Sequence, residues 1–379
     1  MRILVLNGGS SSFKCALYDL SSDLAENATP PEPVWKEHID WTGAGSPAEA
    51  LEPVLRRATE VEIVGHRIVH AGLALRATAW ITDEVRSAIA QNAEVAPAHN
   101  RFELEAIDVT ARVMPPGVRQ EPVRQVAVVD TAFHAGLEPA ACVYPGPYEW
   151  LEQEGIRRFG FHGISYQYAT RRAAQLLGRM PARMLVCHLG SGASLCAVRD
   201  GASVDTTMGF TPLEGLMMSS RSGSLNPGII VYLLRHRGYS AEDLDQILNK
   251  ESGLMGVSGF SGDMRAILHR RELGDPRAKL AFDVYIRRLT REAGAMLTVL
   301  GGLDALVFTG GVGENSGEVR AALCAQLEFL GLRLDPSKNA HPQGDGDLAA
   351  AGSSIPVLLI HAQEEWEIAR ECRRLATQG

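Results

Sequence analysis

The sequence lacks several features that mark whole classes of protein. No run of about 18 apolar residues occurs in its 379 residues, so no membrane-spanning helix is expected. There is no tract of Lys and Arg, and the net charge is −8, which argues against nucleic acid or an anionic membrane as partner. The six cysteines form no CxxC pair, which argues against a zinc site and favours reduced thiols in a cytoplasmic protein.

The amino terminus also lacks the pattern of a secretion signal. The apolar run over residues 1–6 is too short for one and stops at Asn7-Gly8-Gly9. We interpret it as a buried first strand, and we expect a cytoplasmic enzyme.

Two segments of the chain repeat each other. Residues 2–19 read RILVLNGGSSSFKCALYD and residues 183–200 read RMLVCHLGSGASLCAVRD, with 8 of 18 aligned pairs identical and no gap. Each copy is an apolar strand, a turn of Gly and Ser, and a second apolar strand, the pattern of a β-hairpin. Chance explains such a match poorly, so the repeat predicts a duplicated domain.

The turns of these hairpins are suited to anions. Consecutive Gly and Ser residues leave backbone N–H groups free to point at a phosphate, and glycine permits its close approach. Either turn alone is equally well explained as an ordinary hairpin connection. One turn in each half favours two loops that face each other across a cleft and hold a polyphosphate.

The rest of the chain alternates between strand and helix patterns. Residues 125–130 (QVAVVD) and 303–309 (LDALVFT) are short apolar runs of strand type, and apolar residues between 281 and 296 keep helical spacing. This alternation predicts an α/β fold. Residues 21–47 and 337–354 are rich in Pro, Gly and polar residues and are predicted to be irregular surface excursions.

A third glycine-rich turn, GGVGEN at 310–315, follows the second of these strands and precedes a helical pattern over 318–330. A strand, a glycine turn and a helix together aim backbone donors at a nucleotide. The turn fits neither GxxxxGK[ST] nor GxGxxG, so the P-loop and Rossmann interpretations lack their fingerprints.

Four polar residues stand out among apolar or small neighbours. Arg67 lies in GHRIVH, Asp130 in DTAFH, His162 in RFGFHG and Arg221 in SSRSGS. Each alone is best explained as a structural ion pair or hydrogen-bonded side chain. Together they match phosphoryl transfer, in which arginine forks and a histidine donor stabilise the charge that spreads over the phosphoryl oxygens, with Mg²⁺ on the nucleotide.

Seven segments of the sequence resemble the motifs of a known family. The segments NGGSSSFK (7–14), GHRIVHAG (65–72), DTAFH (130–134), RFGFHG (158–163), MGFTPLEGLMM (208–218), FTGGVGEN (308–315) and EEWEIAR (364–370) are similar to the motifs of acetate kinases, in the same order and over nearly the whole chain. The resemblance implies two duplicated α/β domains of the acetate and sugar kinase, Hsp70 and actin (ribonuclease H-like) type with an active-site cleft between them. Domain I would be 1–135 with helix 366–379 packed back on it, and 136–365 would be the nucleotide-binding domain II.

The implied activity is reversible, direct in-line phosphoryl transfer from ATP to acetate, giving ADP and acetyl phosphate. The implied enzyme is a homodimer that depends on Mg²⁺, with Mn²⁺ as a substitute ion. By the same resemblance Asn7 and Glu364 belong to the magnesium site, and Glu365 is interpreted as structural. The residues implied to stabilise the transition state or to be catalytic are Asp130, His162 and Arg221.

The resemblance also assigns ligand contacts. Arg67 matches the arginine that binds the acid, and the pocket for its methyl group is matched by Val69, Ala98, Phe161 and Pro212. The implied nucleotide contacts are Lys14, His188, Leu189, Gly190, Ser191, Gly192, Asp263, Met264, Arg265, Gly311, Val312, Gly313, Glu314 and Asn315.

Three segments depart from the family pattern. The usual HLGNG is HLGSG at 188–192, and the usual GTRSGDIDP is SSRSGSLNP at 219–227, with Ser224 and Asn226 in place of two acids. The usual APLHNP is APAHNR at 96–101, so Ala98 replaces a leucine of the acid pocket.

Two rival interpretations therefore stay open. One is a kinase that prefers propionate or butyrate, or a pyrophosphate-using relative, although the GDMR and GGVGEN segments favour a nucleotide donor. The other is a nucleotide-gated binding protein of the Hsp70 or actin kind, which would hydrolyse ATP without needing a carboxylic acid.

Overall fold

The structure is a computed structural model that describes residues 1–9, 12–21, 24–25, 28–40, 46–92, 97–114 and 122–378. For residues 47 and 97–100 it describes the backbone alone. The chain divides into two compact units. Unit 1 comprises Met1–Ala135, His162–Tyr168 and Gln363–Gly379, and unit 2 comprises Gly136–Phe161 and Ala169–Ala362. The boundaries drawn from the sequence, 1–135 and 136–365, differ from these units chiefly at His162–Tyr168.

Each unit is built on one mixed sheet. The strands are β1 (Arg2–Gly8), β2 (Ser12–Asp19), β3 (Trp35–Asp40), β4 (Ile63–Ile68), β5 (Ala79–Trp80), β6 (Arg124–Val129), β7 (Arg183–Leu189), β8 (Ala193–Arg199), β9 (Ala202–Thr206), β10 (Ala305–Thr309), β11 (Gly346–Asp347) and β12 (Val357–Leu359).

The helices surround these sheets. They are α1 (Pro47–Arg57), α2 (Asp83–Gln91), α3 (Pro97–Val113), α4 (Pro139–Cys142), α5 (Glu149–Glu152), α6 (Gly163–Leu177), α7 (Pro227–His236), α8 (Ala241–Lys250), α9 (Gly253–Ser258), α10 (Met264–Glu272), α11 (Pro276–Leu300), α12 (Gly310–Asn315), α13 (Gly317–Gln326), α14 (Pro336–Ala340) and α15 (Glu364–Thr377). Short 3₁₀ turns cover Ala132–His134 and Glu328–Leu330. None of the helices in the described ranges is long and apolar enough to cross a membrane.

The predicted duplication is confirmed. Strand order in unit 1 is β3-β2-β1-β4-β6-β5, and read from β9 the order in unit 2 is β9-β8-β7-β10-β12-β11. Corresponding pairs run in the same sense: β1–β4, β4–β6, β7–β10 and β10–β12 are parallel, and the others are antiparallel. The repeated hairpin is β1–β2 in one unit and β7–β8 in the other.

Parallel central strands place several of the predicted site residues at one edge of the sheet in unit 1. In unit 1, Ile3–Leu6 of β1 pair with Ile63–His66 of β4, and β4 pairs with β6 up to Val129. Asn7 and Gly8 at the end of β1, Arg67 near the end of β4 and Asp130 after β6 therefore lie at the same carboxyl edge. Helices α3 and α15 pack on β1 and β4, so the strands beneath the site are buried on both faces.

Several local predictions are confirmed and two are wrong in part. The strand patterns correspond to β6 and β10, and the helical patterns to α11 and α13. Residues 35–40, predicted to be irregular, form β3, and residues within 337–354 form most of α14 and all of β11. Strand β3 is an edge strand whose alternate residues Lys36, His38 and Asp40 are exposed, so its outer face carries polar residues that hide the strand pattern.

Candidate active site

A buried ion pair forms the centre of the site in unit 1. Arg67 Nη2 donates to Asp130 Oδ2 at 3.0 Å, and Arg67 Nη1 donates to the carbonyl oxygen of Gly8 at 2.9 Å. The Asp130 side chain is 2% exposed and that of Arg67 15%. Burial alone would lower the pKa of Arg67, but the charges of Asp130 and Glu364 outweigh it and raise that pKa above its ordinary value. The guanidinium therefore stays charged at the end of β4.

His162 is held beside the same carboxylate in a strained conformation. Its backbone N–H donates to Asp130 Oδ2 at 2.9 Å, and its φ of 60° lies in the left-handed region that non-glycine residues rarely adopt. The next residue must be glycine, because a Cβ on Gly163 would lie 2.2 Å from the carbonyl oxygen of Asp130. Asp130 therefore orients both Arg67 and His162, three residues that the sequence placed in one site.

Two carboxylates meet at Asn7. Asn7 Nδ2 donates to Glu364 Oε2 at 3.0 Å and to Glu365 Oε1 at 2.8 Å, both in the first turn of α15. Mg²⁺ prefers oxygen ligands and takes one or two carboxylates together with water. An amide oxygen and two carboxylates fit that preference, so these residues suit the implied metal. The sequence indicated Glu364 but interpreted Glu365 as structural.

Lys14 lies on the strand that follows the hairpin turn of unit 1. Lys14 is exposed on β2, directly opposite Asn7 in the β1–β2 register. Gly9 N–H donates to the carbonyl oxygen of Ser12 at 2.8 Å. Ser10 and Ser11, predicted to be part of a phosphate loop, lie outside the described residues.

The four residues predicted for the acid pocket are distributed over both units. Val69 of unit 1 is buried directly after β4. In unit 2, Phe161 is buried and Pro212 is half-buried. The Ala98 side chain lies outside the described part of the chain. The structure therefore describes three of the four side chains, one in unit 1 and two in unit 2.

In unit 2 the two glycine-rich turns adjoin. Gly310, with a φ of 79°, follows β10, and a Cβ there would lie 2.9 Å from the carbonyl oxygen of Leu189. Ser191 is exposed between the half-buried Gly190 and Gly192, and His188 is buried at the end of β7. The predicted nucleotide contacts 188–192 and 311–315 are thus neighbours in the fold.

The turn at 310–315 is a short helix, α12, which hydrogen bonds from its own side chains and from neighbouring residues stabilise. Glu314 Oε1 accepts from the N–H groups of Gly310 at 3.0 Å and Ala362 at 2.8 Å, and Asn315 Nδ2 donates to the carbonyl oxygen of Gly311 at 2.8 Å. Fully buried Arg320 donates to the carbonyl oxygens of Gly313 and Glu314, each at 2.8 Å. Glu314 and Asn315 therefore shape the turn, while Gly311 is exposed.

The loop that contains Arg221 connects the other predicted nucleotide segments. Ser219 N–H donates to the carbonyl oxygen of Ser191 at 3.1 Å, and Ser219 Oγ donates to that of Gly262 at 2.7 Å. The substituted residues have structural partners: Ser224 Oγ accepts from Gly215 N–H at 3.0 Å, and Asn226 caps α7. Arg221 is thus held in a loop that touches both the 188–192 turn and the 262–265 segment.

Asp263, Met264 and Arg265 have different environments. Asp263 caps α10 by accepting from Arg265 N–H at 2.9 Å and also pairs with the guanidinium of Arg265. That hydrogen bond from the Arg265 side chain lowers the pKa of Asp263. The Arg265 side chain is 89% exposed, whereas Met264 is buried in the core. Arg265 can thus reach a ligand with its side chain, and Met264 only with its backbone.

A sheet built twice with the same strand order, and with a glycine-rich turn at the corresponding hairpin of each half, defines the fold class: the acetate and sugar kinase, Hsp70 and actin type. Within that class, a buried arginine, a strained histidine and paired carboxylates match phosphoryl transfer to a carboxylic acid.

Comparison with known proteins narrows this class. Residues 2–370 match the Acetokinase family. The chain is 50% identical to the acetate kinase of Gloeobacter violaceus, covering 98% of each chain. It is similar to the crystal structures of Porphyromonas gingivalis acetate kinase (TM-score 0.87, 31% identity, 99% of each chain) and of a Francisella tularensis propionate kinase (0.85, 34%, 98% of each). The chain belongs to the acetokinase family and is a phosphotransferase with a carboxyl group as acceptor.

Proposed function

We propose that the chain transfers the γ-phosphoryl group of ATP to acetate, reversibly and in line, giving ADP and acetyl phosphate. The observation that carries this proposal is the buried cluster in which Asp130 orients Arg67 and His162. A guanidinium fork binds a planar carboxylate through two parallel hydrogen bonds. A nucleotide-gated binding protein of the Hsp70 or actin kind has no need of such a cluster.

Each residue then has a distinct role. Arg67 binds the carboxylate of the acid, and one carboxylate oxygen attacks the γ-phosphorus atom while the bond from that atom to the β-phosphate oxygen of ADP breaks. Arg221 and His162 stabilise the negative charge on the transferring phosphoryl group, where preorganised donors have their largest effect. Asp130 keeps Arg67 and His162 in place. The N–H groups of the 188–192 and 311–315 turns, together with Lys14 and Arg265, bind the nucleotide.

Mg²⁺ would be held by Asn7 and Glu364, with Mn²⁺ as a substitute, and would neutralise charge on the nucleotide phosphates. This assignment is supported by the hydrogen bond between Asn7, at the end of β1, and Glu364, at the start of α15. Asn7 and Glu364 would fix the position of the ion, because an Mg²⁺ ion that keeps several waters has few protein ligands to hold it in place.

The test of this function is a panel of acids. We expect acyl phosphate, trapped with hydroxylamine, and ADP to form with acetate and MgATP, and we expect little ADP without acid. ADP release that does not depend on acid would instead support a nucleotide-gated binding protein. Pyrophosphate in place of ATP should give no product.

A second candidate is a kinase that prefers propionate or butyrate. It is favoured by the likeness to a propionate kinase structure and by Ala98, where related enzymes are expected to have leucine. The kcat/KM values of two substrates that differ by one methylene typically differ by about 10–200-fold. The same panel of acids therefore distinguishes an acetate kinase from a kinase that prefers propionate or butyrate. A kcat/KM for propionate equal to or above that for acetate would establish the second.

We also propose that the enzyme is a cytoplasmic homodimer, and helix α7 is the surface that supports a dimer. Its sequence, PGIIVYLLRH, is mostly apolar, yet none of its residues is buried in the single chain. Ile229, Val231, Tyr232 and Leu234 are each exposed by more than two fifths. An apolar helix without a covering partner marks a protein–protein interface, and a second copy of this chain is the occupant we propose.

We predict that Ile229→Asp together with Tyr232→Asp converts the dimer into a monomer, because two buried carboxylates would oppose association. Light scattering should show twice the 40.9 kDa chain mass for the wild type and the chain mass for the variant. Phe329→Asp is the control, since Phe329 is 79% exposed elsewhere in unit 2. A monomeric wild type at micromolar concentration would refute the dimer.

A further inference from the structure

Glu103 of α3 is a buried acid beside the proposed acid-binding arginine, and no role has been assigned to it. Its side chain reaches β4, where Glu103 Oε1 accepts from the backbone N–H of Val69 at 2.8 Å. Glu103 is only 5% exposed. It therefore contacts a residue of the proposed acyl pocket and lies within electrostatic range of Arg67.

Glu103 Oε2 and Arg67 Nε are buried polar atoms that have no hydrogen-bond partner among the described residues. A buried polar atom without a partner costs folding free energy, so such atoms are few in native proteins and often mark a functional site. Here both unpartnered atoms belong to the side chain that we expect to bind a carboxylate, Arg67, or to its buried neighbour Glu103.

The charge state of Glu103 suits it to donate rather than to accept. Burial raises its pKa to about 8, against the opposing effects of the Val69 N–H and of Arg67, while Asp130 raises it further. The charged groups that act on Glu103 are thus Arg67 from β4 and Asp130 from the residue after β6. At neutral pH Glu103 is mostly a carboxylic acid, and its O–H can donate a hydrogen bond.

We propose that the carboxylic acid of Glu103 donates a hydrogen bond from Oε2 to the carboxylate of the bound acid, beside the Arg67 guanidinium. Glu103 is then a further substrate-binding residue. Its O–H group favours the ionised carboxylate of the acid, which can accept the hydrogen bond. The inference rests on the proposed function, since it assumes that Arg67 binds the acid. When Glu103 ionises, it places a negative charge next to the substrate carboxylate and opposes binding.

The test is the pH dependence of KM for acetate at saturating MgATP. If only the protonated form binds, a pKa of about 8 predicts that KM rises about thirtyfold between pH 7 and pH 9.5, while KM for ATP changes little. Glu103→Gln should abolish this rise, because its amide N–H donates at every pH. A merely structural Glu103 would not produce this difference between the profiles.

Two further variants complete the experiment. Glu103→Met keeps the volume but cannot donate, so KM for acetate should rise roughly tenfold to a hundredfold at pH 7 and stay flat with pH. Glu105→Gln, on the same helix and paired at the surface with Arg101, is the control and should keep the wild-type profile. Circular dichroism and the KM for ATP report whether each variant folds.

The outcomes separate this inference from the proposed function. Acetate-dependent ADP formation by the wild type at pH 7 tests the function alone. A KM for acetate that is flat from pH 7 to 9.5 in an active wild type would overturn the role of Glu103. So would a Glu103→Gln variant that shows the same rise as the wild type.

Discussion

Arg221→Ala should lower kcat by about 10²–10³ and change KM for ATP only slightly, because an interaction made mainly in the transition state contributes to kcat and not to ground-state binding. The loop around Arg221 is tied to Ser191 and Gly262 by backbone and hydroxyl hydrogen bonds. Loss of the side chain should therefore leave the loop in place. Initial rates over a grid of ATP and acetate concentrations separate the two constants.

Two comparisons sharpen this prediction. Arg221→Lys keeps the charge but loses the planar fork, so it should recover only part of the lost rate. Arg333→Ala removes an exposed arginine of the same unit and should behave like the wild type. A drop in kcat of less than fivefold in Arg221→Ala would mean that the substituted SSRSGSLNP loop holds this arginine away from the phosphoryl group.

Much of the fold could be predicted from the sequence because the duplicated hairpin is local. In each copy a strand, a tight turn and a second strand are contiguous, so their register is set by short-range pattern alone. The repeat therefore predicts the same hairpin, β1–β2 and β7–β8, in both sheets. Strand β3 was missed because its alternate residues are polar and because a segment rich in proline and polar residues separates it from β2, with which it pairs.

The site was predicted less completely, and the reason is also physical. Asp130, Arg67 and His162 were expected in one site, and Asp130 contacts both others. Glu103 was missed because an acid on an amphipathic helix is usually solvated, and only the packing of α3 on β4 buries it. Arg320 was missed for the same reason, since a surface-type residue inside a helix gives no sign that it supports α12.

Only the structure shows how Glu364 and Glu365 differ, because the two residues are adjacent in the sequence and chemically identical. Both carboxylates accept from Asn7, but their charges act on different neighbours. Glu364 raises the pKa of Arg67, whereas Glu365 acts on Cys15, whose pKa is raised mainly by burial. The charge of Glu364 therefore acts towards Arg67 at the end of β4, and the charge of Glu365 acts towards Cys15 of β2.

Glu364→Gln should raise the Mg²⁺ concentration needed for half-maximal activity by about 10–100-fold and lower kcat, because a carboxylate that orients the ion is lost. Glu365→Gln should cost mainly stability, with a smaller change in the Mg²⁺ requirement. Calorimetric titration of Mg²⁺ into the enzyme with ADP measures the metal affinity independently of turnover. Denaturant unfolding of both variants measures the stability.

The matched pair decides the assignment, since the two residues are adjacent, chemically identical and bonded to the same Asn7 nitrogen. A variant that merely disturbs the start of α15 would weaken unfolding stability and Mg²⁺ affinity together, whichever glutamate is changed. A loss of Mg²⁺ affinity confined to Glu364→Gln, with stability near that of the wild type, is what a role in holding the metal requires. Equal losses of affinity in the two variants would show that the ion is shared by both carboxylates.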